Sequence, residues 1–309
     1  MFRIGARIAG GMPMASPRQI FPNQFYLLTR NCTQRQFLLR PDPITNNIFI
    51  YCLAEAAQRF GIMILGTVTE GNHHHTVLFD PEGRVSEFME HLHKMSSRCL
   101  NERWGRSENL WANEEPCLTR LLDRAAVIQE LIYTAGNPVK DGLVERAIDW
   151  PGVNGYAALL GDRELHAQRP EFYFSAKGVM PAEITLRFEF PQFLGSPEQI
   201  VAEVRDGVTK LEQETKELRN GRPVLGSEAV LSQSPFSSPK TERPRTDLRP
   251  RFAGGPNVRI PALLEYKNFL VEYRRARRDY LAGLPAIFPP GTNRLRRLAP
   301  IVVAPLIPD

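Results

Sequence analysis

Glu70-Gly71-Asn72-His73-His74-His75-Thr76-Val77-Leu78-Phe79 decides how the rest of this chain is read. Its last four residues are β-branched or apolar, the composition of a strand. Side chains alternate faces along a strand, so His73 and His75 share one face and His74 points to the other. Imidazoles two residues apart on one face can chelate one divalent cation. A His-x-His pair is also common by chance, so it needs a third ligand and a reactive group from elsewhere in the chain.

Both candidates stand in Tyr133-Thr134-Ala135-Gly136-Asn137-Pro138-Val139. The segment from about Asp123 predicts a helix, with Ile128, Leu131, Ile132 and Ala135 as its apolar stripe. Tyr133 and Asn137 are four residues apart and so lie on one face. At about 100° per residue, that face is turned away from the stripe. Pro138 disfavours helical geometry at the residue before it, so the helix is expected to end at Asn137.

Together these stretches resemble a family. Asn72-His73-His74-His75, Tyr133 with Asn137-Pro138-Val139-Lys140-Asp141-Gly142-Leu143-Val144, and Asp149-Trp150-Pro151 are similar to the REP-associated tyrosine transposases. These are one-tyrosine HUH transposases, which cut and join single-stranded DNA. The likeness spans residues 20–155 and implies a role for each matching position. His73, His75 and Asn137 would hold a divalent metal, Mg or Mn, and Tyr133 would be the nucleophile. It also implies an α+β fold: a ferredoxin-like antiparallel sheet with helices packed on one face. The expected partners are single-stranded or hairpin DNA and a second copy of the chain, as a homodimer. Two departures stand out. The family has a bulky apolar residue where His74 stands, and two serines where Gly152-Val153-Asn154 follows Pro151.

That chemistry needs these residue types. A phosphodiester's negative charge repels nucleophiles, and a cation on a non-bridging oxygen offsets it and orients the phosphorus for in-line attack. Two neutral imidazoles and an amide leave the cation's charge undiminished. A phenol that forms a phosphotyrosine conserves the energy of the cut linkage, so rejoining needs no nucleotide cofactor. The backbone must be single-stranded or distorted to enter such a site.

Composition agrees with a nucleic-acid partner. The net charge of +5 is unevenly placed. Residues 1–159 hold 16 basic and 16 acidic side chains, whereas 240–297 hold 14 and 5. A concentrated positive segment attracts a phosphate backbone. Arg274, Arg275, Arg277 and Arg278, on a helix expected over 261–281, are its densest cluster. Arg30, Arg35, Arg106 and Trp111, in loops after the first strand and before the tyrosine helix, complete the expected DNA-binding set. The four cysteines lack C-x-x-C spacing and are expected to be thiols in a reducing cytoplasm. No apolar run approaches the ~20 residues needed to span a bilayer. Met1–Ser16 lacks the apolar core of a signal peptide.

The chain is expected to divide into a flexible 1–19, a catalytic domain over 20–155, accessory strands and a helix over 156–220, a Pro/Ser/Arg-rich linker over 221–257, and a basic helix and tail over 258–309. Within it, helices are expected at 43–60, 84–104 and 197–220, and accessory strands at Glu171–Phe174 and Ile184–Phe190. Of the residues on the second of these helices, His91 and His93 are read as surface residues, and Ser96, Ser97 and Cys99 as polar helix positions without a partner base. Other functions remain open: a DNA-binding regulator of the same fold that has lost cutting, or a metal phosphodiesterase that uses water and leaves Tyr133 idle.

Overall fold

The computed structural model describes residues 17–175, 177–240 and 251–306. Met1–Ser16 and part of the expected linker, 241–250, lie outside the described residues. The chain divides into two units, one of residues 20–265 and one made of the two chain ends, up to Gln19 and from Tyr266 onward.

In the first unit, Asp42 opens the first helix. Its carboxylate accepts from Ile44 N at 3.1 Å and Thr45 N at 3.0 Å, ahead of Pro43 at the first helical position. Gly61, at φ 64°, closes the helix in the left-handed region. Around this helix, α1 (Pro43–Phe60), stand β1 (Gln24–Asn31), β2 (Met63–Glu70), β3 (His73–Asp80), α2 (Val85–Trp104) and β4 (Cys117–Leu121). The sheet runs β2-β3-β1-β4, all antiparallel, and β7 (Phe252–Ala253) extends it in parallel beside β4. A β-α-β-β-α-β chain with that strand order is the ferredoxin-like arrangement expected. α1 and α2 pack together against one face of the sheet.

α3 (Arg124–Lys140) lies across the opposite face, over β2 and β3. Asp123 caps it through Ala126 N at 2.7 Å. The expected stop at Asn137 is corrected: Pro138 sits inside the last turn and the helix continues to Lys140. A proline there forgoes one amide hydrogen bond. The turn is closed beyond it, where Leu143 N donates to Pro138 O at 2.9 Å and Asp141 N to Asn137 O at 3.0 Å.

α5 (Pro197–Arg219) covers the outer side of α3. The two helices meet through glycines. A Cβ on Gly207 would stand 2.2 Å from Ile132 Cδ1, and one on Gly136 would stand 2.8 Å from Leu211 Cδ1. The apolar stripe of α3 is thus divided. Leu131 faces Gly66 of β2, and Ile132 faces α5.

The accessory strands differ in part from expectation. β5 (Glu164–Gln168) pairs with β6 (Glu183–Arg187), whereas Glu171–Phe174 forms no strand. Tyr173 takes φ 71°, which breaks an extended run. The short α4 (Gly155–Leu160) and β4 carry too weak a pattern to be read from sequence. Residues 221–240, within the stretch expected as a linker, are tied to the domain. Leu225 N donates to Gly142 O at 2.8 Å and Phe37 N donates to Ser237 O at 3.0 Å, on either side of α6 (Ser227–Ser232).

α7 (Pro256–Leu281) begins in this unit, and its residues from Tyr266 belong to the second. There Tyr266, Phe269 and Tyr273 follow one another along the helix, and Phe288 of β8 (Ile287–Phe288) packs on Tyr273. Tyr266 Oη donates to Pro17 O at 2.8 Å. β8 pairs in parallel with β9 (Val302–Val303), and α8 (Arg294–Leu298) lies between them in sequence. No helix of the described residues is long and apolar enough to cross a membrane.

Candidate active site

The β2–β3 and β1–β3 registers sort the side chains. His75 stands opposite Thr29 and His73 opposite Asn31, so these four share the face covered by α3. His74 faces the other way. Its ring is 5.0 Å from that of Phe49 in α1, 5.3 Å from His93 and 5.6 Å from Trp111. Its Nε2 is 3.1 Å from His93 Nε2. Complete burial holds this imidazole neutral, with its pKa pushed down to about 3. It therefore takes the packing place of the apolar residue that the resemblance leads one to expect, and it is directed away from the face of His73 and His75.

On the α3 side, the residues singled out from sequence come together. The His73 and His75 rings are 4.9 Å apart and nearly perpendicular, and the Tyr133 ring is 5.2 Å from that of His75. Asn137 Nδ2 is 3.4 Å from His73 Nε2. One turn of helix spaces Tyr133 and Asn137 over the pair of imidazoles, which is why residues some sixty positions apart converge.

Both rings are held at their other nitrogen. His73 Nδ1 is 2.7 Å from Asn72 Oδ1, and His75 Nδ1 is 2.7 Å from Thr29 Oγ1. With Nδ1 protonated, each ring donates there and its Nε2 carries the lone pair. Turning the Asn137 amide over would place its oxygen, in place of its nitrogen, beside His73 Nε2. Two imidazoles and an amide oxygen, oriented in this way, fit a divalent cation.

The surrounding cleft, about 1530 Å³, is lined by His73, His75 and Tyr133 together with Glu70, Glu130 and Lys140. Lys140 Nζ lies 4.5 Å from the centre of the Tyr133 ring. Burial pushes the Glu130 carboxyl above its usual range, and Lys140 opposes that shift. Glu130 is one turn before Tyr133 and Lys140 two turns after it. Sequence reading passed over both, although their i−3 and i+7 spacing from Tyr133 was the available signal. Glu70 is a third cleft residue that the sequence pattern does not single out. It is the last residue of β2, with its carboxylate on the His73 side.

The expected DNA-binding residues separate. Arg30 and Arg35 line the cleft, and Arg30 Nη2 donates to Ala112 O at 3.2 Å. Gln34 and Arg35, at φ 49° and 56°, turn this loop in the left-handed region. Arg106 is half-buried and donates to Gln36 Oε1 at 3.2 Å. Trp111 is corrected. Only 6 % exposed, it donates its indole N–H to His93 O at 2.9 Å and packs on His74 and His93, so it anchors the core and offers little ring surface for a base. Arg274, Arg275 and Arg278 are exposed and Arg277 is partly so, all in the second unit.

The segment after Trp150 explains the missing serines. Trp150 Nε1 donates to Thr69 O at 2.8 Å, and Val153 N donates to Thr69 Oγ1 at 3.1 Å, covering the open edge of β2. A Cβ on Gly152 would stand 2.3 Å from Trp150 Nε1 and 2.7 Å from Thr69 O. Any side chain at this position would displace that pairing. Elsewhere, Asp162, Glu164 and His166 gather their polar atoms within 4.8 Å, with Glu164 already ion-paired to Arg187.

Comparison with known proteins gives one family. The model described as "Transposase IS200 like" matches residues 26–115, which include the histidine strand and stop short of Tyr133. Among solved structures, a REP-associated tyrosine transposase bound to a REP hairpin is 16% identical, with 52% of this chain and 92% of that one covered at a TM-score of 0.40. A protein from Deinococcus radiodurans, described as a transposase, is 20% identical, with 38% and 95% covered at 0.29. No curated protein matches.

Proposed function

We propose, starting from the match of residues 26–115 to the model described as "Transposase IS200 like", that the chain cuts and rejoins single-stranded or hairpin DNA through a 5′-phosphotyrosine on Tyr133. The observation that carries this reading is the placement of Tyr133 and Asn137, outside the family match, directly over His73 and His75.

His73, His75 and Asn137 are the residues that would hold a divalent cation, Mg or Mn. Bound there, it supplies positive charge to a non-bridging phosphate oxygen. The Tyr133 phenol oxygen attacks phosphorus. The Tyr133 oxygen–phosphorus bond forms as the bond from phosphorus to the 3′ oxygen breaks. The phenol gives up its proton and the departing 3′ oxygen gains one. Joining is the reverse attack by a 3′ hydroxyl. Lys140, over the phenol ring, favours negative charge on its oxygen. Arg30 and Arg35 flank the strand's path into the cleft.

The exposed arginines Arg274, Arg275 and Arg278, with Arg277, are proposed to bind further phosphates. The reading also includes a homodimer, to be measured by light scattering, and a cytoplasmic location, to be measured by fractionation.

The test is a labelled single-stranded hairpin incubated with Mn²⁺ and the full chain. A covalent protein–DNA adduct that disappears in Tyr133→Phe supports the proposal. Binding without adduct overturns it in favour of a silent DNA-binding protein of this fold. Cleavage that survives Tyr133→Phe overturns it in favour of a water-using phosphodiesterase.

A further inference from the structure

The hairpin that carries His73 also presents a carboxylate. Glu70 pairs directly with His73 across the turn Gly71-Asn72. Residues directly opposed in an antiparallel pair project from the same face. Glu70 therefore shares the face of His73 and His75, and its Oε2 lies 3.9 Å from His73 Nε2. That same nitrogen is the one 3.4 Å from the Asn137 amide.

Glu70 is 3 % exposed yet lines the cleft. Its backbone is also held in place. The neighbouring Thr69 receives the Trp150 indole N–H on its carbonyl and the Val153 amide on its hydroxyl, and Thr69 N donates to Val153 O at 3.3 Å. The end of β2 is therefore fixed where it delivers the carboxylate.

We propose that Glu70 is a fourth protein donor to the divalent cation, beside His73, His75 and Asn137. The inference rests on the metal-holding reading of this site. A carboxylate oxygen makes the donor set harder and reduces the net charge of the bound site. Both changes favour Mg²⁺ or Mn²⁺ over softer ions. The competing role is a purely structural bond from Glu70 to a protonated His73. In that case removing the carboxylate leaves metal affinity unchanged or raises it.

The experiment is titration of the full chain with Mn²⁺, reading free ion by electron paramagnetic resonance, for wild type, Glu70→Gln and His73→Ala. Glu70→Gln is expected to weaken Mn²⁺ binding about 10-fold or more, with the thermal midpoint in EDTA close to that of wild type. Affinity within about twofold of wild type in Glu70→Gln, with binding abolished in His73→Ala, overturns the inference and leaves the metal reading standing. Absence of Mn²⁺ binding by wild type overturns both. If Glu70→Gln does not fold, the wild-type protein decides the matter by infrared difference spectroscopy. A carboxylate stretch that shifts on Mg²⁺ addition supports the inference, and an unchanged carboxylate region overturns it.

Discussion

Thr29 Oγ1 lies 2.7 Å from His75 Nδ1, across the β1–β3 pair in which the two residues stand directly opposite. The hydrogen bond holds the tilt of the imidazole, a role that partners of metal-binding histidines commonly fill. Thr29→Val keeps the strand propensity and the shape but removes the hydroxyl. Mn²⁺ affinity is expected to fall about 10-fold, with the thermal midpoint in EDTA nearly unchanged. Calorimetric titration checks this, and unaltered affinity would mean that the ring is oriented by packing alone.

Lys140 sits over the Tyr133 ring without reaching the imidazoles through any hydrogen bond seen among the described residues. A cation at the face of an exposed aromatic ring contributes about 0.5–1 kcal/mol. Lys140→Met is therefore expected to slow adduct formation by about 2- to 5-fold and to leave Mn²⁺ affinity as it is. A rate equal to wild type would remove Lys140 from the site.

Asp42 ties the start of α1 to α2. It caps Ile44 and Thr45, and Arg103 Nη2 is 2.7 Å from its Oδ1. Burial raises its pKa, but the Thr45 amide and the Arg103 and Arg40 side chains outweigh that effect, and the net shift is downward. A carboxylate depressed in the folded state adds stability that is present above its unfolded pKa, near 3.9, and lost as pH falls through the lower folded value. Asp42→Ala is expected to cost about 1–2 kcal/mol at pH 7 and to flatten the acid limb of the stability profile below about pH 4. Urea unfolding at a series of pH values measures both.

Gly155 begins α4 against β2, where an added Cβ would stand 2.3 Å from Thr67 O and 2.8 Å from Thr67 N. The obstacle is backbone, which cannot swing aside as a side chain can. Gly155→Ala is expected to destabilise the first unit by about 1–3 kcal/mol, seen as a lower urea midpoint at an unchanged slope.

Replacing Arg274, Arg275, Arg277 and Arg278 together with alanine is expected to weaken DNA binding without altering the adduct yield at saturating DNA. The slope of log affinity against log salt should become shallower by about 0.7 for each single-strand phosphate that the variant no longer neutralises. An unchanged slope would place the phosphate-binding groups elsewhere.

Sequence alone determined which chemistry is possible here. Period-two alternation put His73 and His75 on one face and His74 on the other, and helical spacing put Tyr133 and Asn137 on one face. These are local rules, fixed by backbone geometry a few residues at a time. The bounds of the helix at 43–60, and the start of the tyrosine helix near Asp123, were legible for the same reason. Tertiary structure decided what depends on the meeting of distant segments. Trp111 could have stacked on a base or anchored the core, and only its burial against His74 and His93 decided for the anchor. Pro138 looked like a stop, and only the closure of the turn by Leu143 and Asp141 kept it inside the helix. Glu70 carried no signal of its own, and only the register of β2 against β3 set its carboxylate beside His73. Burial, register and long-range hydrogen bonding belong to pairs of residues far apart in the chain, and no window of sequence contains both members of such a pair.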